Sequence, residues 1–129
     1  MFAGMNACQI LDQLNAGQGF ERGRNISKRN ECTASKYEYG ANGLALDPVQ
    51  GLAEFRQTDP GASEIIINGR KALEVFGEIG GCAIAVEVGP HARALINVNM
   101  ASPRNNPQAC PDARSLAERV EPLLPKVPT

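Results

Sequence analysis

The 129-residue chain contains no tryptophan, four phenylalanines, two tyrosines and one histidine. So few aromatic rings leave little surface for stacking nucleic-acid bases. Thirteen basic against fourteen acidic residues give a net charge of −1, so the chain has no basic surplus for a phosphate backbone. We therefore expect no nucleic-acid partner. No apolar run in the sequence approaches the length of a membrane span.

The chain also lacks the short motifs that mark metal sites, nucleophile elbows and redox dithiols. Candidates for acid–base catalysis are His91, Glu74, Glu78 and Glu87, but their spacing is not diagnostic, and exposed strands carry such charges for solubility. We expect a protein without enzymatic activity, cofactor or metal. The alternative is a secreted hydrolase or transferase that uses His91 with Glu87 or Glu74.

Four cysteines, Cys8, Cys32, Cys82 and Cys110, are too far apart in sequence for the paired ligands of a structural zinc site. Their even number in a short chain predicts two disulfides and an oxidising, extracytoplasmic compartment. Three pairings are possible. Sequential pairing, Cys8 with Cys32 and Cys82 with Cys110, is favoured, and each loop that it closes contributes about 3.5 kcal/mol in the chain-entropy model.

Helix signals occur near both ends of the chain and once between them. The first segment, 7–14, has apolar residues at helical spacing. Asp47 and Gln50 have the spacing of a capping box and predict a helix over 48–57. Pro111 and Asp112 open a final helix with an apolar stripe. The polar stretch 17–30 is predicted to be a surface loop.

Strand signals fill the remainder of the chain, at 33–39, 44–46, 64–67, 71–76, 82–88 and 92–100. They predict an antiparallel meander of five or six strands, covered on one face by the N- and C-terminal helices, in a single α+β domain over 1–129. On the last two strands, the side chains that alternate with the core residues include Glu87, Arg93, Asn97 and Asn99. These four form either a solvated face or the floor of a polar groove, and they are the candidate binding residues.

The surroundings of the four cysteines have an order along the chain that resembles an actinobacterial secreted lipoprotein family of unknown function. That family has a D-P-C-x-L-L opening, a central G-G-R-x-A hairpin before a C-x-[VI]-x-V strand, and a late cysteine that opens a final helix ending in L-P. The matching segments here are Asn6-Ala7-Cys8 with Ile10-Leu11, Glu31-Cys32-Thr33, Gly81-Cys82-Ala83, and Ala109-Cys110-Pro111. Asn6-Ala7 stands where the family has Asp-Pro, and Asn68 stands where it has the first glycine of the central turn.

The resemblance implies export and attachment to a lipid through an upstream cysteine that follows a leader. The domain would then lie at the outer face of the cell membrane, with an unknown small ligand or envelope protein as its partner. Its membrane association would depend on the lipid anchor alone. The resemblance implies no reaction.

Overall fold

A computed structural model describes residues 1–77 and 80–127, and within them the chain forms one seven-stranded antiparallel sheet. The strands are β1 (Arg24–Asn25), β2 (Glu31–Lys36), β3 (Gly40–Asp47), β4 (Ser63–Ile67), β5 (Arg70–Phe76), β6 (Cys82–Gly89) and β7 (Ala92–Met100). Their order across the sheet is β1-β2-β3-β7-β6-β5-β4. The α+β class and the antiparallel sheet agree with the sequence prediction.

The prediction of five or six strands in a single meander was wrong in two respects. The extra strand is β1, which lies inside the stretch 17–30 that was expected to be a loop. Its residues Arg24 and Asn25 pair with Thr33 and Cys32 of β2. Two residues are too short to show strand alternation in sequence. The sheet also consists of two meanders, because β7 returns beside β3, and this pairing joins segments far apart in the chain.

The described residues form three α-helices, α1 (Ala7–Asn15), α2 (Leu52–Thr58) and α3 (Ala109–Val120), with 3₁₀ turns at Pro103–Gln108 and Glu121–Leu123. The predicted start of α2 was wrong by one turn. Asp47 Oδ1 accepts hydrogen bonds from the backbone N–H groups of Val49 and Gln50, which closes a turn instead of a helix. The helix begins after Gly51, whose N–H donates to Glu54 Oε1 at 2.5 Å.

Helices α1 and α3 pack side by side on one face of the sheet and form the main core with it. Their buried residues meet the apolar side chains of β2, β3, β6 and β7, among them Leu44, Ile84, Val86 and Ile96. Disulfide Cys8–Cys32 links α1 to β2, and Cys82–Cys110 links β6 to α3. This is the pairing favoured from the sequence, and it fastens each core helix to the sheet.

The opposite face of the sheet is covered only in part. Helix α2 packs Phe55 against Leu73 of β5 and Ala85 of β6 in a second, smaller cluster. Helix α2 does not cover the other half of that face, which is formed by β2, β3 and β7. Within the described residues, no helix has the length and apolar character to cross a bilayer.

A candidate ligand-binding groove on the uncovered sheet face

A groove of about 880 Å³ lies over β2, β3 and β7, on the face opposite α1 and α3. Its volume falls within the range of small-molecule binding sites, about 300–1,000 Å³. One end is closed by the turn Asp47–Gln50, and one side is lined by the N-terminal residues Met1, Phe2 and Ala3 together with the 26–31 segment. The groove is partly open to solvent.

The groove exists because the central strand beneath it carries almost no side-chain volume. Ala41, Gly43 and Ala45 alternate along β3 and point to the uncovered face, since their neighbours Asn42, Leu44 and Leu46 are buried in the main core. The pairing of β3 with β7 sets Leu95 beside Ala45 and Asn97 beside Gly43. Small residues between larger ones therefore leave a trough along the sheet.

The rim of the groove carries large apolar side chains that are exposed to solvent. Met1, Ile26 and Val49 line it and are 56%, 61% and 72% exposed. Exposed large apolar side chains that converge on one concave surface are typical of interaction sites, whereas scattered ones need no explanation. Asn30 holds this wall in place, because its side chain accepts from Ala7 N at 2.8 Å and donates to Met5 O at 2.9 Å.

Arg93 occupies the closed end of the groove. Its guanidinium lies over the Phe55 ring, with Cζ 5.3 Å from the ring centroid, and it donates to Gly51 O at 3.2 Å and to Gln50 Oε1 at 3.3 Å. A guanidinium held by an aromatic face and by carbonyl oxygens is fixed in position while its charge is kept. Arg93 therefore joins α2 and its preceding turn to the sheet and closes the groove at that end.

The charged groups that line the groove balance one another. Arg29 and Arg93 carry positive charge, and Glu31 and Asp47 carry negative charge. The polar floor consists mainly of Thr33, Asn97 and Asn99, which offer hydroxyl and amide groups that both donate and accept hydrogen bonds. The site consequently combines an apolar rim, a neutral polar floor and no net charge.

Three of the four candidate binding residues predicted from the sequence, Arg93, Asn97 and Asn99, line this groove. The fourth, Glu87, is the cross-strand neighbour of Arg93 on β6 and does not line it. Sequence reasoning missed the β3 floor and the apolar rim. Alternation of Ala41, Gly43 and Ala45 with larger residues was the available signal, but small residues on a strand are equally typical of close packing against another element.

His91 lies in the turn between β6 and β7, with 73% of its side chain exposed. Its Nδ1 is 3.3 Å from Glu54 Oε2 on α2, so the carboxylate partner of His91 is neither Glu87 nor Glu74. The pKa of Glu54 is lowered from its ordinary value, first because the Gly51 N–H donates to the carboxylate and then because of His91. The pair connects the turn to the N-terminal end of α2.

Glu74 lies on β5 and forms a two-point ion pair with Arg114 of α3, at 2.6 and 2.7 Å. The pKa of Arg114 is raised by this contact. The Glu74 carboxylate also lies within 4.8 Å of the sulfur atoms of Cys82 and Cys110. Both sulfurs belong to a disulfide and are not thiolate ligands, so the cluster is not a metal site. Glu78 lies outside the described residues.

Comparisons of the chain with protein-family models, with curated proteins and with solved structures give no match.

Proposed function

We propose that this protein is a non-enzymatic binding domain and that the groove over β2, β3 and β7 holds an amphipathic ligand. The observation that carries the proposal is the coincidence of a cavity of about 880 Å³ with three large exposed apolar side chains at its rim, Met1, Ile26 and Val49. Exposure of these side chains to water is unfavourable. A ligand with an apolar portion removes that cost when it binds.

The polar floor and the balanced charges support a ligand that is not purely hydrocarbon. Asn97 and Asn99 lie two residues apart on β7, so their amides follow one another along the groove. Amide side chains satisfy donors and acceptors alike, and they suit the ester, amide or hydroxyl groups of an amphipathic molecule. The ligand class is therefore an elongated molecule with an apolar portion and neutral polar groups.

The two disulfides support an oxidising, extracytoplasmic location. We extend this to a domain anchored by lipid at the outer face of the cell membrane, on the resemblance of its cysteine surroundings to the exported lipoprotein family.

A fluorescence titration with the uncharged apolar dye N-phenyl-1-naphthylamine tests the binding function. Ala45→Leu replaces a methyl group on the floor with an isobutyl group and is expected to weaken dye binding about tenfold or more, which corresponds to about 1.4 kcal/mol. Ser63→Leu places the same side chain on an exposed residue of β4 outside the groove and is expected to bind as the wild type does. Equal binding by wild type and Ala45→Leu, or equal loss in both variants, contradicts the proposal.

A further inference from the structure

A second pocket of about 170 Å³ lies beside α3, and Ala41, Asn42 and Asn99 line both this pocket and the groove. It opens between the end of α1, the β2–β3 hairpin and α3. Its lining includes the aromatic residues Phe20 and Tyr39 and the polar or charged residues Lys36, Asp112, Ser115 and Arg119. Its volume is about a fifth of that of the groove, so it suits a small polar group.

Lys36 is held at this pocket by aromatic rings instead of by a carboxylate. Its Nζ lies 4.9 Å from the centroid of Tyr39 and 5.8 Å from that of Phe20. A cation between two ring faces is kept in place without being neutralised. In the part of the chain that the structure describes, no carboxylate lies within 4.0 Å of Lys36, and the described ion pairs involve other residues.

Arg119 supplies a second positive charge on the wall formed by α3. Its Nη1 donates to Leu14 O at 2.9 Å and its Nε donates to Ser115 O at 3.4 Å, so backbone carbonyls fix the guanidinium and leave its charge. Arg119, like Lys36, belongs to none of the ion pairs among residues 1–77 and 80–127.

Asp112 is the acidic side chain of the pocket, and it is already engaged by neutral donors. Tyr39 Oη donates to Asp112 Oδ2, and Gln108 Nε2 donates to Asp112 Oδ1 at 2.8 Å. The hydrogen bond to Asp112, with burial and the carboxylate charge, raises the pKa of Tyr39 to about 12. Its hydroxyl is therefore a protonated donor at neutral pH. Two cations against one anion leave the pocket with a net positive charge.

We propose that this second pocket binds a small oxyanion, a phosphate or a carboxylate group, between Lys36 and Arg119. Arg119 Nε and Nη1 already donate to backbone carbonyls, so its guanidinium offers the oxyanion its remaining N–H groups, and the ammonium of Lys36 offers a point charge. Lys36 and Arg119 do not line the groove, and the proposal does not depend on the function proposed for the groove.

The test is a two-dimensional ¹H–¹⁵N NMR titration of the intact chain with inorganic phosphate, with acetate and with chloride at equal ionic strength. Saturable shifts around the pocket are expected with at least one of the two oxyanions and not with chloride. Shifts with both identify the shared oxyanion chemistry. Shifts with one alone assign the site to phosphate-bearing or to carboxylate-bearing solutes. Equal shifts with all three salts, or none, overturn the proposal.

Three variants are expected to change oxyanion binding, two by weakening it and one by strengthening it, and a fourth variant is the control. Lys36→Gln and Arg119→Gln each remove a charge-assisted contact and are expected to weaken binding about tenfold or more. Asp112→Asn removes the repelling charge while its amide oxygen still accepts from Tyr39, and it is expected to strengthen binding. Lys71→Gln, at an exposed position of β5 outside the pocket, is the control and is expected to leave oxyanion binding unchanged.

The same spectra report whether each variant is folded. A folded Asp112→Asn that binds no more tightly than the wild type contradicts the proposal. A folded Lys36→Gln that binds as the wild type does also contradicts it. If a variant fails to fold, the wild-type comparison of oxyanion with chloride still decides the question.

Discussion

Asn15 of α1 and Asn42 of β3 exchange two hydrogen bonds beneath the first helix. Asn15 Nδ2 donates to Asn42 Oδ1 at 3.1 Å, and Asn42 Nδ2 donates to Asn15 Oδ1 at 2.9 Å. Both residues are buried, with 4% and 7% exposure. The reciprocal amide pair satisfies two polar groups at the point where α1 meets the sheet.

Loss of one partner of this pair is expected to cost more than loss of both. Asn42→Leu leaves the buried Asn15 amide without its partner and is expected to lower the free energy of unfolding by about 1–3 kcal/mol. The double variant Asn15→Leu/Asn42→Leu is expected to be more stable than either single variant, because no buried amide is left unpaired. Urea unfolding of the three proteins measures this. A double variant that loses the sum of the two single effects contradicts the account.

The disulfide Cys8–Cys32 packs so closely against Gly23 that no side chain fits there. A Cβ at Gly23 would lie 2.5 Å from Cys32 Sγ and 2.9 Å from Asp12 Oδ1, and Asp12 Oδ1 already accepts from Gly23 N at 2.6 Å. Gly23→Ala is expected to lower the free energy of unfolding by about 1–3 kcal/mol through overpacking.

Gly61 provides the matched control for Gly23, since a Cβ there meets no atom within 4 Å. Gly61→Ala is expected to leave stability unchanged or to raise it by up to about 1 kcal/mol, because alanine restricts the unfolded chain. Thermal unfolding of both variants separates the steric effect at Gly23 from the general effect of replacing a glycine. Equal stabilities of the two variants contradict the close packing at the disulfide.

The two disulfides close loops of similar length, with sequence separations of 24 and 28 residues. Cys8→Ala/Cys32→Ala and Cys82→Ala/Cys110→Ala are therefore each expected to lower the free energy of unfolding by about 3.5 kcal/mol in the chain-entropy model. Urea unfolding without reductant measures both losses. Intact mass is the companion measurement, and complete reduction of the wild type should add about four hydrogen atoms. An unchanged mass contradicts the disulfides and the extracytoplasmic location inferred from them.

The contact between Tyr39 and Asp112 predicts a stability change at high pH. The hydrogen bond from Tyr39, burial and the negative charge of Asp112 raise the pKa of Tyr39 from 10.0 to about 12. The folded state therefore favours the protonated phenol, and the contribution to stability is complete below pH 10.0 and is lost as the pH rises through about 12.

Ultraviolet titration in a Tyr37→Phe background measures the ionisation of Tyr39 alone, because the chain has two tyrosines. Its midpoint is expected near pH 12. Adding Asp112→Asn removes the negative charge and is expected to lower that midpoint. A midpoint that is the same with and without Asp112→Asn contradicts the assigned cause.

Local signals in the sequence were sufficient for most of the elements and for the disulfides. The apolar alternation of β6 and β7 placed Ile84, Val86 and Ile96 in the core, and all three are fully buried. The same alternation placed Arg93, Asn97 and Asn99 on the other face, where they line the groove. A period of two fixes which residues share a face, and that much can be predicted from sequence alone.

The features that sequence reasoning missed depend on which elements are neighbours. The pairing of β3 with β7 gives the groove its floor, and no local pattern specifies a contact between segments so distant in the chain. Similarly, His91 and Glu54 are 37 residues apart, and they meet because α2 packs over the end of the β6–β7 hairpin. The tertiary fold determines which carboxylate lies beside His91. Residue type and spacing in the sequence indicated Glu87 or Glu74 instead of Glu54.

The most direct test of the binding groove is a map of chemical-shift changes when the ¹⁵N-labelled protein is titrated with the uncharged dye N-phenyl-1-naphthylamine. Changes are expected on the backbone amides of Gly43, Ala45 and Asn97, which line the groove and not the second pocket, and on the rim residue Val49. Amides of α3 are expected to keep their positions, because that helix packs on the other face of the sheet. Changes centred on α3, or spread evenly over both faces, would contradict a ligand site on the uncovered half of the sheet.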